Sequence, residues 1–184
     1  MAHPHKLNKE GSVLVVVDVQ DKLLHAIHEW PAVLENTIKM VKFAHTLGVP
    51  VIVTEQYPKG LGPTNAKLAE LFPAFNCLEK TVFSCYGAAG FAALLTELGA
   101  KTLVLVGIEA HICVQQTALA ALDEGLAVHV IADAVGSRTP ANKEIGLAKI
   151  MQAGGVISAV EIALYEWLER SDGPEFKSIL PLIK

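Results

Sequence analysis

One arrangement recurs along the chain and limits what it can become: a segment of helical character, a glycine, then a short apolar run. Gly48 precedes Val49-Pro50-Val51-Ile52-Val53-Thr54, and Gly99 stands before Thr102-Leu103-Val104-Leu105-Val106. Gly125 precedes Leu126-Ala127-Val128-His129-Val130-Ile131, and Gly155 precedes Val156-Ile157-Ser158. Glycine closes helices because its backbone reaches the left-handed region without a Cβ clash. Apolar runs of strand length that do not alternate mark strands covered on both faces. The repetition predicts βα units in a three-layer α/β/α fold around a mostly parallel sheet of about six strands, Rossmann-like in outline. Ser12 to Gln20 supplies the first strand and Cys77 to Val82 the third. Trp30 to Gly48 reads as a helix with Pro31 in its first turn, Asn65 to Leu71 and Gly90 to Leu98 as shorter ones. Glu55 to Pro63 reads as a loop rich in turn residues. No repeat or linker interrupts the pattern, so residues 1–184 are expected to form one domain.

Composition removes several function classes. Hydrophobic residues make up 52% of the chain, enough to fill a core on both sides of a sheet. The 3 cysteines, Cys77, Cys85 and Cys113, leave an odd thiol and show no paired metal spacing, which fits a reduced, cytoplasmic setting. The polar stretch Met1 to Gly11 lacks the apolar core of a signal peptide, and the longest apolar runs fall far short of a membrane span. The 15 Lys and Arg are scattered among 19 Asp and Glu, so neither nucleic acid nor an acidic membrane is expected as a partner. A small-molecule substrate is expected instead.

In open parallel sheets, sites lie beyond the carboxyl ends of the strands. Three reactive side chains fall there. Asp18 ends the first apolar run, Lys80 lies in the third, and Cys113 follows the fourth in Gly107-Ile108-Glu109-Ala110-His111-Ile112-Cys113-Val114. A sharp turn at that point would put Cys113 in the first turn of a helix, where free N–H groups and the dipole favour a thiolate. Each residue also has a plainer reading: Cys113 as core filler, Asp18 as a cap, Lys80 as a solvated strand end. Together, a carboxylate, an ammonium and a helix-start thiol make an activated nucleophile.

The Asp-x-Gln motif (Asp18-Val19-Gln20), the third-strand Lys80 and the Gly107-to-Val114 elbow occur in the order found in isochorismatase-like cysteine hydrolases, and the chain resembles that family from about Val13 to Leu168. The resemblance implies a catalytic triad of Asp18, Lys80 and Cys113. It also implies a cis peptide between Ile108 and Glu109 that turns the Glu109 N–H toward the substrate oxygen. With the N–H of Cys113 this makes an oxyanion hole. Nicotinamidases of the family bind a metal through an Asp and several His after the second strand. Here Glu55-Gln56-Tyr57-Pro58-Lys59-Gly60-Leu61-Gly62 contains no His, so neither metal nor cofactor is expected. The string Thr54 to Thr64 is similar to the small single-domain branch of unassigned substrate. Family resemblance further implies a homo-oligomer.

The expected activity is metal-independent hydrolysis of an amide, imide or ureido C–N bond through a thioester. An isochorismatase-type vinyl-ether hydrolase and a catalytically weak binding module stand as alternatives. A nucleotide- or flavin-binding domain is disfavoured because no glycine-rich turn follows the first strand. Gln20, Gln56, Tyr57, Phe83, Tyr86, Ala110 and His111 are candidates to shape the pocket, with core or loop packing as the plainer reading for Phe83 and Tyr57. Where the family carries Thr or another small residue, Ala110 offers no hydroxyl. His3, His5, His25 and His28 lack a third ligand at a recognisable spacing and read as solvated. Cys77 and Cys85 read as structural.

Overall fold

The apolar runs pair as six strands: β1 (Ser12–Val17), β2 (Val51–Gln56), β3 (Leu78–Lys80), β4 (Thr102–Ile108), β5 (Ala127–Gly136) and β6 (Val156–Ser158). This computed structural model describes His3 and residues 5–183; the remaining four positions of the expected 1–184 domain lie outside the described residues. The strands lie in the order β3-β2-β1-β4-β5-β6, and every neighbouring pair is parallel. Helices α1 (Asp21–Leu24), α2 (Trp30–Leu47), α3 (Pro58–Leu61), α4 (Ala66–Ala69) and α5 (Phe91–Glu97) belong to the first half. The second half adds α6 (Gln115–Asp123), α7 (Pro140–Gln152), α8 (Val160–Leu168) and α9 (Pro174–Ile183). The three-layer α/β fold expected from the sequence is the fold observed.

Side chains along each strand alternate between two cores, which is why the runs are mostly apolar, with buried Ser12, Thr54 and His129 among the exceptions. Val13, Val15 and Val17 of β1 join Leu103 and Leu105 of β4 in a core with Phe91 of α5 and Ala118 and Ala121 of α6. Leu14 and Val16 turn the other way, with Val104 and Val106, onto Met40 and Phe43 of α2 and Trp167 of α8. Each of these large side chains buried from water contributes about 1.5–3 kcal/mol. Helices α2 and α7 carry Pro31 and Pro140 in their first turns, where the fixed φ of proline fits.

Four boundaries differ from the sequence reading, and each difference affects the site. β1 stops at Val17, because Asp18 takes φ 53 and leaves the sheet; Gln20 then makes only an isolated antiparallel bridge with Thr64. β2 runs on to Gln56 and Pro58–Leu61 winds into α3, so the expected loop is largely structured. β3 ends at Lys80, two residues short of Val82. β5 continues to Gly136, with a register irregularity opposite Leu105 and Gly107. Beyond β4, Ala110–Val114 forms a single π-helical turn before α6 begins at Gln115.

Candidate active site

The strand order reverses between β1 and β4, and at such a switch point the flanking loops part to leave a crevice. Asp18 follows β1, Lys80 ends β3, and Glu109 and Cys113 follow β4, so the sheet topology brings these four residues to one rim. Gly107 makes the approach possible. Its φ is +104, and a Cβ there would lie 2.2 Å from the carbonyl oxygen of Val17, so only glycine fits between β4 and β1.

Asp18 and Lys80 are fully buried and paired, Lys80 Nζ lying 2.6 Å from Asp18 Oδ2. The other carboxylate oxygen accepts from Thr54 Oγ1 at 2.7 Å. Lys80 Nζ also donates to Gln56 Oε1 at 2.7 Å and to the Val82 carbonyl at 3.4 Å, which occupies its three protons. The Asp18 charge acts on the buried Cys113 thiol. Burial first, and then the Asp18 charge, push that thiol up to about 12, while the Lys80 ammonium pulls the other way. This corrects the expected resting thiolate. Cys113 belongs to the π-helical turn rather than to the first turn of an α-helix, and its burial favours the protonated sulfur.

Above this group opens a cleft of about 390 Å³, within the range of small-molecule sites. Cys113 and Glu109 line it, with Gln56, Tyr57, Phe83 and Arg138. Tyr57 and Phe83 are each 52% exposed, so Phe83 is not core, while the Tyr57 ring packs on Gly60, where a Cβ would lie 2.3 Å from its Cε1. The peptide bond between Ile108 and Glu109 is cis, and the Glu109 N–H finds no acceptor among the described residues. The buried Glu109 carboxylate is held by Arg138, whose Nε donates to both oxygens and whose Nη2 donates to Oε1 at 2.9 Å. The Arg138 backbone N–H adds a further bond to Oε2 at 3.2 Å.

Four sequence candidates fall outside the cleft. Gln20 is buried and works as a brace: Nε2 donates to the carbonyls of Gln56 (3.0 Å) and Gly62 (2.6 Å), while Oε1 accepts from the Gln56 N–H (2.8 Å). It therefore fixes the wall that carries Tyr57 and Leu61 without touching the cavity. Ala110 is fully buried in the α5–α6 core. His111 turns away toward β5, its Nδ1 lying 2.9 Å from Ser137 Oγ. Tyr86 packs edge-on against Phe91 at 5.2 Å, away from the cavity.

Other participants escaped the sequence reading. Arg138 lies two residues beyond the carboxyl end of β5, and that end lies five residues past the expected Ile131, so the rim argument does not reach it from the sequence. Thr54 was assigned only to its strand. Cys85, read as structural, lies with its sulfur 3.7 Å from Thr54 Oγ1, and burial with the Asp18 charge pushes it up to about 11. Thr117 ties that segment to the elbow, accepting from the Cys85 N–H and donating to the Cys113 carbonyl. His25 packs edge-on against Trp30 at 4.8 Å, His28 lies 3.8 Å from Glu29, and the His3 and His5 rings meet edge-on at 5.3 Å. Among the described residues no three His, Cys, Asp or Glu side chains come together to hold a metal, and no helix is long and apolar enough to cross a membrane.

The model of the isochorismatase domain matches residues 12–162, which span the sheet and every residue of this site. The chain is 39% identical over 183 residues to the secreted isochorismatase effector Isc1 of Phytophthora sojae (strain P6497), covering 97% of this chain and 87% of the relative. It is 38% identical over 178 residues to human isochorismatase domain-containing protein 2, covering 95% and 83%. A solved structure described as the MAR1 ribonuclease of Caenorhabditis elegans matches with a TM-score of 0.89 at 37% identity, covering 97% of this chain and 92% of that one. By sequence and by architecture, the chain belongs to the isochorismatase-domain family and has its hydrolase fold.

Proposed function

We propose that the chain is a metal-independent cysteine hydrolase, working as one domain, that cleaves a C–N bond of a small amide, imide or ureide. The observation that carries this reading is the Asp18 carboxylate, buried between Thr54 and Lys80, whose charge acts on the Cys113 thiol lining the cleft. Asp18 takes the thiol proton as Sγ attacks the substrate carbonyl carbon. The backbone N–H groups of Glu109 and Cys113 receive the developing oxyanion. Asp18 returns the proton to the nitrogen, the C–N bond breaks, and the amine departs to leave an acyl thioester on Cys113. A water then gives a proton to Asp18 and adds to the thioester; collapse releases the acid and restores the thiol. Lys80 stays protonated throughout and balances the Asp18 charge.

A panel of uncharged amides, imides and ureides, assayed for released amine with wild type and Cys113→Ser, tests the proposal. At least one substrate is expected to turn over, with the variant slower by at least about a hundredfold. Equal rates in the two proteins would refute it. Dialysis against EDTA should leave the wild-type rate unchanged, because Asp18, rather than a metal-bound water, supplies the base.

The name of the C. elegans structure raises ribonucleolysis as a second chemistry. The net charge of −4, and a rim whose two cations are each committed to a carboxylate, favour a small uncharged substrate over a phosphodiester chain. A homo-oligomer is supported by Ile162 and Tyr165, spaced three apart on one face of α8 and 54% and 44% exposed. Light scattering coupled to gel filtration tests that assembly. The odd number of thiols supports a reducing compartment such as the cytoplasm, and the P. sojae relative, named as secreted, makes subcellular fractionation the deciding test.

A further inference from the structure

The charges at the cleft, rather than its shape, identify what the site accepts. Two positive groups border it, and each is paired with a carboxylate. Lys80 lies beneath the floor with its three protons on Asp18, Gln56 and the Val82 carbonyl. Arg138 stands at the wall and clasps Glu109 through Nε, Nη2 and its own backbone N–H. Each of these cations is matched by one carboxylate, so the charges bordering the cavity sum to zero. Most of the remaining wall is apolar, from Leu23, Tyr57, Leu61, Phe83, Ile108 and Ile112, and its polar members Gln56 and Thr81 carry no charge.

A carboxylate or ammonium entering this space would lose water without finding a free counter-charge, and burying an unpaired ion is strongly unfavourable. An alkyl or aryl group would cover the six apolar side chains and release water from them. The cleft volume of about 390 Å³ is at the small end for such sites. We infer that the site takes small, uncharged acyl donors bearing an alkyl or aryl group, and that the Glu109–Arg138 pair is the specificity element that rejects charged ones. This inference rests on the cysteine-hydrolase reading only for the reactive end of the ligand. The clasp also implies an exchangeable code: neutralising either partner frees the charge of the other to recruit an opposite charge on the substrate.

Three amides matched in length test it: hexanamide, its carboxylate analogue adipamate, and its ammonium analogue 6-aminohexanamide. Binding is read by ligand-observed NMR on wild type, Glu109→Gln and Arg138→Gln, and turnover is read separately by released ammonia. Wild type is expected to bind hexanamide at least about tenfold more tightly than either charged analogue. Glu109→Gln should strengthen adipamate by about tenfold, and Arg138→Gln should do the same for 6-aminohexanamide. Arg138 has a side chain 62% exposed, so its variant keeps the test open should Glu109→Gln unfold. Tighter wild-type binding of a charged analogue, no binding of hexanamide, or an unchanged ranking in Arg138→Gln would overturn the inference. The expected ranking without ammonia release would instead refute the hydrolase reading and leave the ligand class standing.

Discussion

Asp18 has no exposed surface, and its charge persists there only because each oxygen has a donor. Removing one donor should therefore cost more than a surface substitution does. Lys80→Met leaves the carboxylate without its ammonium and is expected to lower stability by about 3–5 kcal/mol in urea unfolding. Thr54→Val removes a single hydroxyl and should cost about 1–3 kcal/mol. Asp18→Asn keeps the shape but cannot accept the thiol proton, so amide turnover should fall by about 10²–10⁴-fold while binding of hexanamide is retained. A Thr54→Val enzyme as stable as wild type would show that the hydroxyl is not needed to hold Asp18. At this scale the sequence was partly legible. An acid closing an apolar run, with an ammonium and a thiol after two others, points to chemistry because the three fall on one rim. Arg138 was not legible, because its meaning comes from a Glu109 carboxylate 29 positions away whose side chain could have pointed anywhere.

The π-helical turn is the element on which the site depends, and α7 holds it in place. Gly146 lies where α7 meets the turn, and a Cβ there would stand 2.7 Å from the Cα of His111. Replacing glycine by alanine inside a helix normally stabilises by about 0.5–1 kcal/mol. At this position the sign should reverse. Gly146→Ala is expected to unfold at lower urea concentration and to lose activity, because the turn must shift and carries Cys113 with it; a stabilised, fully active variant would disprove the close contact. Strand positions were readable from apolar runs closed by glycine. The ends were not, since β1, β2 and β3 stop where neighbours bend them: Asp18 into a left-handed conformation, Gln56 onto Gln20, Lys80 onto Asp18. The π-turn itself leaves no periodic signal, being one insertion at a helix start.

Across the whole molecule, the sheet order could not be read from the strands singly, because pairing β1 with β4 joins segments about ninety residues apart. That order nonetheless decides the function, since it places the ends of β1, β3, β4 and β5 around one crevice. The buried thiols give the molecule a characteristic alkaline limit. Cys85 and Cys113 are raised from the ordinary 9.0 to about 11 and about 12 by burial first and the Asp18 charge second. Above pH 9 the unfolded chain releases these protons while the folded chain holds them. The stability tied to them is thus complete below about pH 9 and is lost as pH rises toward 11 to 12. Thermal melts should decline over that window, and less steeply in a Cys85→Ala/Cys113→Ala variant; parallel declines would mean other groups set the limit.

The central claim is that Cys113 carries the acyl group. Acid-quenching the enzyme during hexanamide turnover and mapping its peptides by mass spectrometry tests this directly. A hexanoyl increment confined to the Cys113 peptide in wild type, and absent from Cys113→Ser, is the expected result. Turnover with no acyl increment on Cys113, at quench times that span the first cycle, would contradict it.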